Sequence, residues 1–361
     1  MIGSFLVSVL SFVAVLFVLV LVHEWGHFFA ARRFGVRVYE FGFGFPPRIK
    51  AWMRHGTEYT ANWIPLGGFV RLKGEDGSDA HDADSFAHKK AWQRLVILLA
   101  GVVMNFVLGF AVYVGLFIHG VDMPIAVARD GAIIENSRVI VGGLIPDSPA
   151  ARAGLQPGDQ ILNIAGMPIT RDADVPTIVQ SNAGRAIPVV VSRKGATLET
   201  MVQPALLETG SVGIGVRVLS VARVSYPIGR AFVAAAAETG DVSLIIFKTL
   251  GTIVGKLFTS GELQEGVSGP VGIAVVTGKV AQAGWAPLLQ LVAMLSINLG
   301  ILNVLPIPAL DGGRAVFVLL EKVIGRGMRA RVERVAQLVG FVLLITLVLA
   351  VTYRDILGLI N

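Results

Sequence analysis

The chain has 361 residues, enough for two soluble domains, but it is 54% hydrophobic and only 16% charged, where a soluble chain carries about 25% charged residues. With a mean hydropathy of +0.69 it reads as a membrane protein. Its 31 Lys and Arg against 25 Asp and Glu leave a net charge of +6, gathered in two loops rather than in a basic stripe with interleaved aromatics, which argues against a nucleic-acid partner. The absence of cysteine excludes disulfide frameworks, thiol nucleophiles, Fe–S clusters and cysteine zinc sites.

Four apolar segments are long enough to cross about 30 Å of hydrocarbon: Phe5 to Ala31, Leu95 to Ile118, Pro287 to Leu305 and Val335 to Val351. The first has no basic stretch before it and no small-residue cleavage site, so it reads as a retained helix. Lys and Arg concentrate between the first and second spans (Arg32, Arg33 and Arg37 through Lys89 and Lys90) and after the third (Arg314 through Arg334). The positive-inside rule makes both loops cytoplasmic and turns the termini and residues 121–286 outward. Val242 to Phe258 is apolar but carries Lys248 at its middle and Lys256 near its end. A mid-bilayer charge costs at least about 2.5 kcal/mol, so this reads as an interfacial or bundle-packed helix.

At the cytoplasmic end of the first span stands His23-Glu24-Trp25-Gly26-His27. Residues four apart share a helical face, so two imidazoles can grip one Zn²⁺ with Glu24 between them as a base toward water. Ionisable groups within an otherwise apolar helix are functional by default; interfacial capping is the plain alternative. A catalytic zinc needs a third protein ligand, here His, Asp or Glu. The best candidate is Asp311 in Asn303-Val-Leu-Pro306-Ile-Pro308-Ala-Leu-Asp311-Gly-Gly-Arg314, where two prolines break the helix at a depth that tolerates irregular backbone only around a cavity or in protein. Taken alone, Asp311 would read as a turn or N-cap residue. Two further crossings return Asp311 to the face that holds His23 and His27, and a crossing by Val242 to Phe258 would separate them. Asn303 is placed to donate to an oxyanion or to substrate backbone, with an interhelical hydrogen bond as the other reading for it and for Asn298. His55, His81, His88 and His119 read as surface or interfacial.

Together, H-E-W-G-H and N-x-x-P-x-P-x-L-D-G-G resemble the two signatures of the site-2 protease family of intramembrane zinc metalloproteases, its bacterial RseP type above all. Lesser matches are Gly42-Phe-Gly44 with Pro46-Pro47, Pro65-Leu-Gly-Gly-Phe-Val70, Gly101 with Asn105-Phe106, and Ser268-Gly-Pro-Val-Gly272, so the resemblance covers nearly the whole chain. Val102 departs from it, standing where many relatives carry Pro. The resemblance implies one Zn²⁺ per chain held by His23, His27 and Asp311, with Glu24 as general base and Asn303 steadying an oxyanion. It further implies substrate contacts at Gly42, Gly44, Gly67, Gly68, Pro306 and Pro308, within a membrane-associated β element and the broken helix. The substrates it implies are single-span proteins already shortened on the outer side, such as anti-sigma factors or remnant signal peptides, cut by regulated intramembrane proteolysis in the bacterial inner membrane.

Gly143 to Leu162 looks like the core of a PDZ domain. Ser148-Pro149 starts a short helix, Gly154 stops it, and Pro157-Gly158-Asp159 turns into a strand at Ile161 to Ile164. Further strands at Ala186 to Ser192 and Glu199 to Gln203 fill out a β-rich domain, and the glycines around Gly213, Ile214 and Gly215 can hold a chain-terminal carboxylate beside a strand that accepts a peptide. An ordinary Gly-rich hairpin is the other reading. Longer relatives carry two such domains where this chain has one.

The expected fold class is therefore a four-span α-helical polytopic membrane protein with an inserted PDZ domain. The expected order is a first transmembrane helix over residues 1–34, a cytoplasmic loop with the β element over 35–94, and a second helix over 95–120. An extracytoplasmic PDZ domain over 126–219 and an amphipathic helical region over 220–286 follow, then a third helix over 287–313 and a fourth over 333–353. A PDZ-bearing scaffold with a silent metal site is the rival reading, and a zinc or proton transporter ranks last, because the second and fourth spans carry almost no polar residues.

Overall fold

The computed structural model describes residues 2–77, 79–207, 210–259, 268–324 and 326–360. In chain order these form α1 (Ile2–Arg33), β1 (Val38–Arg54), β2 (Thr57–Leu72), α2 (Ala91–His119), β3 (Val121–Pro124), β4 (Ile133–Leu144), α3 (Pro149–Arg152), β5 (Gln160–Ile164) and β6 (Met167–Pro168). There follow α4 (Asp174–Ser181), β7 (Ile187–Arg193), β8 (Ala196–Val202), β9 (Ala205–Leu206), β10 (Val212–Gly213) and β11 (Val216–Ser225). Five helices complete the chain: α5 (Ile228–Thr259), α6 (Pro270–Ala283), α7 (Trp285–Val304), α8 (Asp311–Ile324) and α9 (Arg326–Ile360). Two compact units emerge, residues 1–114 with 235–361, and residues 115–234.

In the first unit, four helices among the described residues are long and apolar enough to cross a membrane: Leu6–Arg33, Ala91–His119, Trp285–Val304 and Val332–Gly358. They coincide with the four segments expected from hydropathy, and α5, with Lys248 and Lys256, is not among them. Large apolar side chains such as Leu10, Phe29, Val335 and Leu343 stand exposed on these helices, a surface suited to lipid rather than water. The helices approach through glycine: a methyl group on Gly26 would come 2.4 Å from the Ala100 carbonyl oxygen, and one on Gly109 2.7 Å from Ile297. Close backbone approach of this kind replaces the hydrophobic driving force that lipid cannot supply. Arg94, 2% exposed at the start of α2, pairs with Glu321 of α8 at 2.6 Å.

β1 and β2 are long and curled, so each holds more than one partner run. Residues 40–43 pair on one flank with 58–61 and on the other with 68–71, while 48–54 pair with 57–62. The run Gly68–Leu72 consequently has strand partners on one flank, and α1 lies close by: a Cβ on Gly68 would sit 3.3 Å from Val20 and 3.5 Å from Cγ of Glu24. Val36, Val38, Leu72, Phe86, Ile97 and Val318 bury a common core beneath it. Beyond β2, Lys73 reaches Asp82 and Asp84, each at 2.7 Å, and its ammonium holds the Asp84 carboxyl below the usual carboxylate range.

The second unit is built on a sheet of order β3-β11-β4-β5-β7-β8, with β6 beside β5. In β7 its core follows the strand period, with Ile187, Val189 and Val191 buried; in β5 a register shift between Ile161 and Asn163 turns both Ile161 and Ile164 inward. Ser148 caps α3, its Oγ accepting from Ala151 N at 3.3 Å. Asp159, 1% exposed, is gripped bidentately by Arg193 at 2.7 Å through both oxygens, and Oδ2 also accepts from Gln156 N. The Arg193 guanidinium holds the Asp159 carboxyl below its ordinary value. A depressed pKa contributes stability that is present above the unfolded value, about 3.9, and lost as pH falls further through the folded value. Asp159→Asn is expected to destabilise the unit at pH 7, since it removes the charge that Arg193 and Gln156 N converge on, and to flatten the acid dependence below about pH 4. Hydrogen exchange of the β5 and β7 amides in the full-length protein, compared at pH 7 and below pH 4, measures both effects.

Several boundaries differ from the sequence reading. The sheet runs from Val121 to Ser225 rather than over 126–219, because β3 pairs with the end of β11 (Val121 with Val224, Pro124 with Val221), a contact between distant segments that local patterning does not carry. Residues 220–225 are therefore strand, and helix begins at Ile228; residues 260–267 of the helical region expected over 220–286 lie outside the described residues. The third apolar helix ends at Val304, not 313, because Pro306 and Pro308 cannot donate to it. α9 extends the expected fourth helix at both ends, and the side chains of Lys322, Arg326, Arg329 and Arg331 lie outside the described residues.

Candidate metal centre

His23 and His27 occupy successive turns of α1 and are 7% and 9% exposed. Their Nε2 atoms lie 3.1 Å apart. Asp311, the first residue of α8, places Oδ2 at 3.1 Å from His23 Nε2 and 3.3 Å from His27 Nε2. Four tetrahedral ligands about 2.0–2.1 Å from a zinc ion stand about 3.3–3.4 Å from one another, so the three atoms are spaced for one ion.

Proton placement asks for the same thing. His27 Nδ1 lies 2.8 Å from the Ile97 carbonyl oxygen; a carbonyl only accepts, so in a neutral ring Nδ1 carries the proton and Nε2 turns a lone pair toward Asp311. Asp311 Oδ2 is buried without a hydrogen-bond donor. Lone pairs converging on a buried carboxylate repel unless a cation lies among them.

The turn that delivers Asp311 explains the residues around it. Leu305 is extended, Ile307 N bonds back to Leu305 O, Leu310 N to Ile307 O, and Ala309 adopts φ +79°, a strained conformation for a residue with a Cβ. α8 then folds back so tightly that a Cβ on Gly312 would come 2.2 Å from the Val304 carbonyl oxygen, and one on Gly313 2.2 Å from that of Ile307. Gly340 of α9 lets the Pro308 carbonyl approach from the other side, where a Cβ would stand at 2.4 Å.

A cavity of about 180 Å³ opens onto the cluster, walled by Glu24, Phe69, Val70, Leu72, Glu75, Ile97 and Arg314 besides the three metal-ligating groups. Arg314 and Glu75 pair across its edge at 2.5 Å, and Glu75 also accepts from Leu72 N.

Of the residues singled out from the sequence, His23, Glu24, His27 and Asp311 thus come together. Gly68 stands beside Glu24; a Cβ on Gly42 would meet the ring of Phe69, and Gly44 and Gly67, at φ +76° and +150°, shape the bends of β1 and β2. Pro306 and Pro308 belong to the turn before Asp311. Asn303 is half-buried near the end of α7 and is not in the cavity wall. In the other unit, Ile214 is 2% exposed and packs into the β core, and the carbonyls of Ile214 and Gly215 accept from Ala150 N and Ile145 N, both at 2.9 Å. That loop can therefore offer a ligand its backbone N–H groups but not the Ile214 side chain.

The sequence reading gave no role to Gly101 and Asn105. A Cβ on Gly101 would fall 2.4 Å from His27 Nε2 and 2.8 Å from His23 Cε1, and Asn105 Nδ2 lies 3.0 Å from His23 Nδ1. An amide one turn from a glycine in an apolar helix was the available signal.

Peptidase family M50 matches residues 11–347, and the chain belongs to that family, the site-2 proteases: it is a zinc metalloprotease. The zinc metalloprotease RasP of Oceanobacillus iheyensis is 30% identical to it over 434 residues, covering 97% of this chain and 98% of that one. RasP of Shouchella clausii is 28% identical with the same coverage, and the Clostridium perfringens protein CPE1693 is 34% identical over 94% of this chain and 95% of its own. The PDZ domain of an SdrC-like protein from Listeria monocytogenes aligns with 22% of this chain and 86% of its own at 23% identity, with a TM-score of 0.21.

Proposed function

We propose that this metalloprotease hydrolyses peptide bonds within the bilayer, in single-span membrane proteins already shortened on the outer side, as in regulated intramembrane proteolysis. The observation that carries this is the position of the His23, His27 and Asp311 cluster at the end of a helix fit to span a membrane, in a cavity walled by a strand run with a free flank. His23, His27 and Asp311 hold Zn²⁺, which when bound polarises the scissile carbonyl and acidifies the attacking water. Glu24 takes the proton from that water on a carboxylate oxygen as the C–O bond forms, and passes it to the amide nitrogen as the C–N bond breaks. Asn303, outside the cavity wall, would have to turn toward bound substrate to donate to the developing oxyanion.

A transmembrane helix has its amides satisfied internally, so a substrate must unwind before a carbonyl reaches the zinc. Among the described residues Gly68–Val70 have a strand partner on one flank only, and with Phe69 and Val70 facing the cavity the other flank offers the freed amides a strand to pair with. Gly42, Gly44 and Gly67 shape that strand, and Pro306 and Pro308 shape the turn that delivers Asp311. We place the chain in the bacterial inner membrane; by the distribution of Lys and Arg the metal centre lies near the cytoplasmic face and residues 121–286 are extracytoplasmic.

We read that unit as a PDZ domain. β3 pairs with residues 221–224 of β11, so that among the described residues 216–220 have no strand partner on that flank, beside the segment before α4 where Asp172 N donates to Ser220 Oγ. A peptide added there would bring its C-terminus to the backbone of Gly213 to Gly215.

Incubating the purified protein with a short-ectodomain single-span substrate and mapping the products by mass spectrometry tests the proposal. A cut inside the span is expected; cuts only in the flanks would refute it. Removing zinc with a chelator is expected to abolish the cut, and one equivalent of Zn²⁺ to restore it.

A further inference from the structure

Asn105 is wholly buried in α2, and its side chain meets the ring nitrogen of His23 that points away from the metal cluster, at 3.0 Å from Nδ1. Its other amide atom, Oδ1, is buried with no hydrogen-bond partner. The residue is anchored from behind: Ser296 Oγ of α7 donates to the Asn105 carbonyl at 2.8 Å, and Gly300 lets α7 approach, where a Cβ would stand 3.4 Å from Asn105 Cβ and 3.1 Å from Phe106. A polar side chain held this firmly in an apolar helix has a partner to orient.

Which amide atom faces His23 decides what that ring can do. Were Nδ2–H to donate to Nδ1, the neutral ring would carry its proton on Nε2 and could not ligate through it. Reversing the amide, an assignment that coordinates of heavy atoms leave open, sets Oδ1 against Nδ1–H and frees the Nε2 lone pair, 3.1 Å from Asp311 Oδ2. The Ile97 carbonyl does the same for His27 from the opposite side. We propose that Asn105 is a positioning residue that accepts the His23 Nδ1 proton through Oδ1 and so fixes the tautomer and ring plane in which His23 binds zinc. This rests on the reading of His23, His27 and Asp311 as the ligands. It makes Asn105 the link between α7, through Ser296, and the metal centre on α1.

Full-length wild type, Asn105→Leu and Asn105→Asp are to be titrated with Zn²⁺ in detergent against a chromophoric chelator, alongside Asp311→Ala. A stoichiometric, high-affinity wild-type site lost in Asp311→Ala establishes the ligand reading on its own; without it that reading fails, whatever the Asn105 variants do. Asn105→Leu, of similar size but without an acceptor, is expected to weaken zinc binding 10- to 100-fold. Asn105→Asp, a carboxylate acceptor for Nδ1–H, is expected to hold zinc at least as tightly as wild type. Equal weakening in Asp and Leu would mean that Nδ2 donates, and wild-type affinity in Leu would mean a packing role; either overturns the proposal. Should the Leu variant fail to fold, Asn105→Ala, likewise without an acceptor, takes its place in the comparison with the Asp variant.

Discussion

Gly101→Ala is expected to empty the metal centre, although it adds one methyl group to a helix. Helix propensity alone would make the change stabilising by about 1 kcal/mol. Sterics point the other way, because the new carbon would stand 2.4 Å from His27 Nε2 and 2.9 Å from His23 Nε2, where carbon contacts ordinarily begin at about 3.5 Å. Neither imidazole can step aside: His27 is tied to the Ile97 carbonyl and His23 to Asn105. α1 and α2 cannot separate freely either, since Gly26, next to His27, is seated directly on the backbone of Ala100 and Gly101. Overpacking of this kind costs about 1–3 kcal/mol, and zinc affinity is expected to fall at least 100-fold. Chelator competition reads the affinity and a thermal melt of the apo-protein reads the packing. Unchanged affinity would show that the rings have room, against the geometry described.

Glu24→Gln is expected to leave zinc content unchanged and to slow cleavage by about 10³-fold or more, within the range for removal of a general base. Gln keeps the shape of the side chain that lies against Gly68, so the strand and the cavity should persist, and the three metal-ligating atoms belong to other residues. The loss should fall on kcat rather than KM, because the proton transfer is made only in the transition state. A variant that cuts at the wild-type rate with full zinc would assign the base elsewhere.

The parts of this protein governed by short-range rules were legible in its sequence. Lipid demands unbroken apolar helices, and the four long enough were found; His23 and His27 share a face by helical geometry alone; Pro306 and Pro308 announce the break that frees Asp311. What escaped depends on pairings between distant segments. Val121 to Pro124 follows directly on the apolar run of α2 and becomes a strand only because β11 returns to it a hundred residues later. β1 and β2 carry apolar strand residues throughout, but nothing local announces that residues 40–43 are flanked by two runs of β2. Asn105 was matched with Gly101 to the family pattern but given no role, for its partner His23 lies 82 positions away. Ile214 sits among glycines that suggest a binding loop, while its side chain is consumed by the core.

The most direct measurement is zinc K-edge X-ray absorption with metal quantification on wild type and Asp311→Ala. One zinc per chain with nitrogen and oxygen donors only, two of them imidazoles, is expected for wild type, and the loss of that zinc in the variant. A variant that keeps a full complement of zinc with an unchanged spectrum would contradict the assignment of Asp311 and, with it, the metal centre built on α1 and α8.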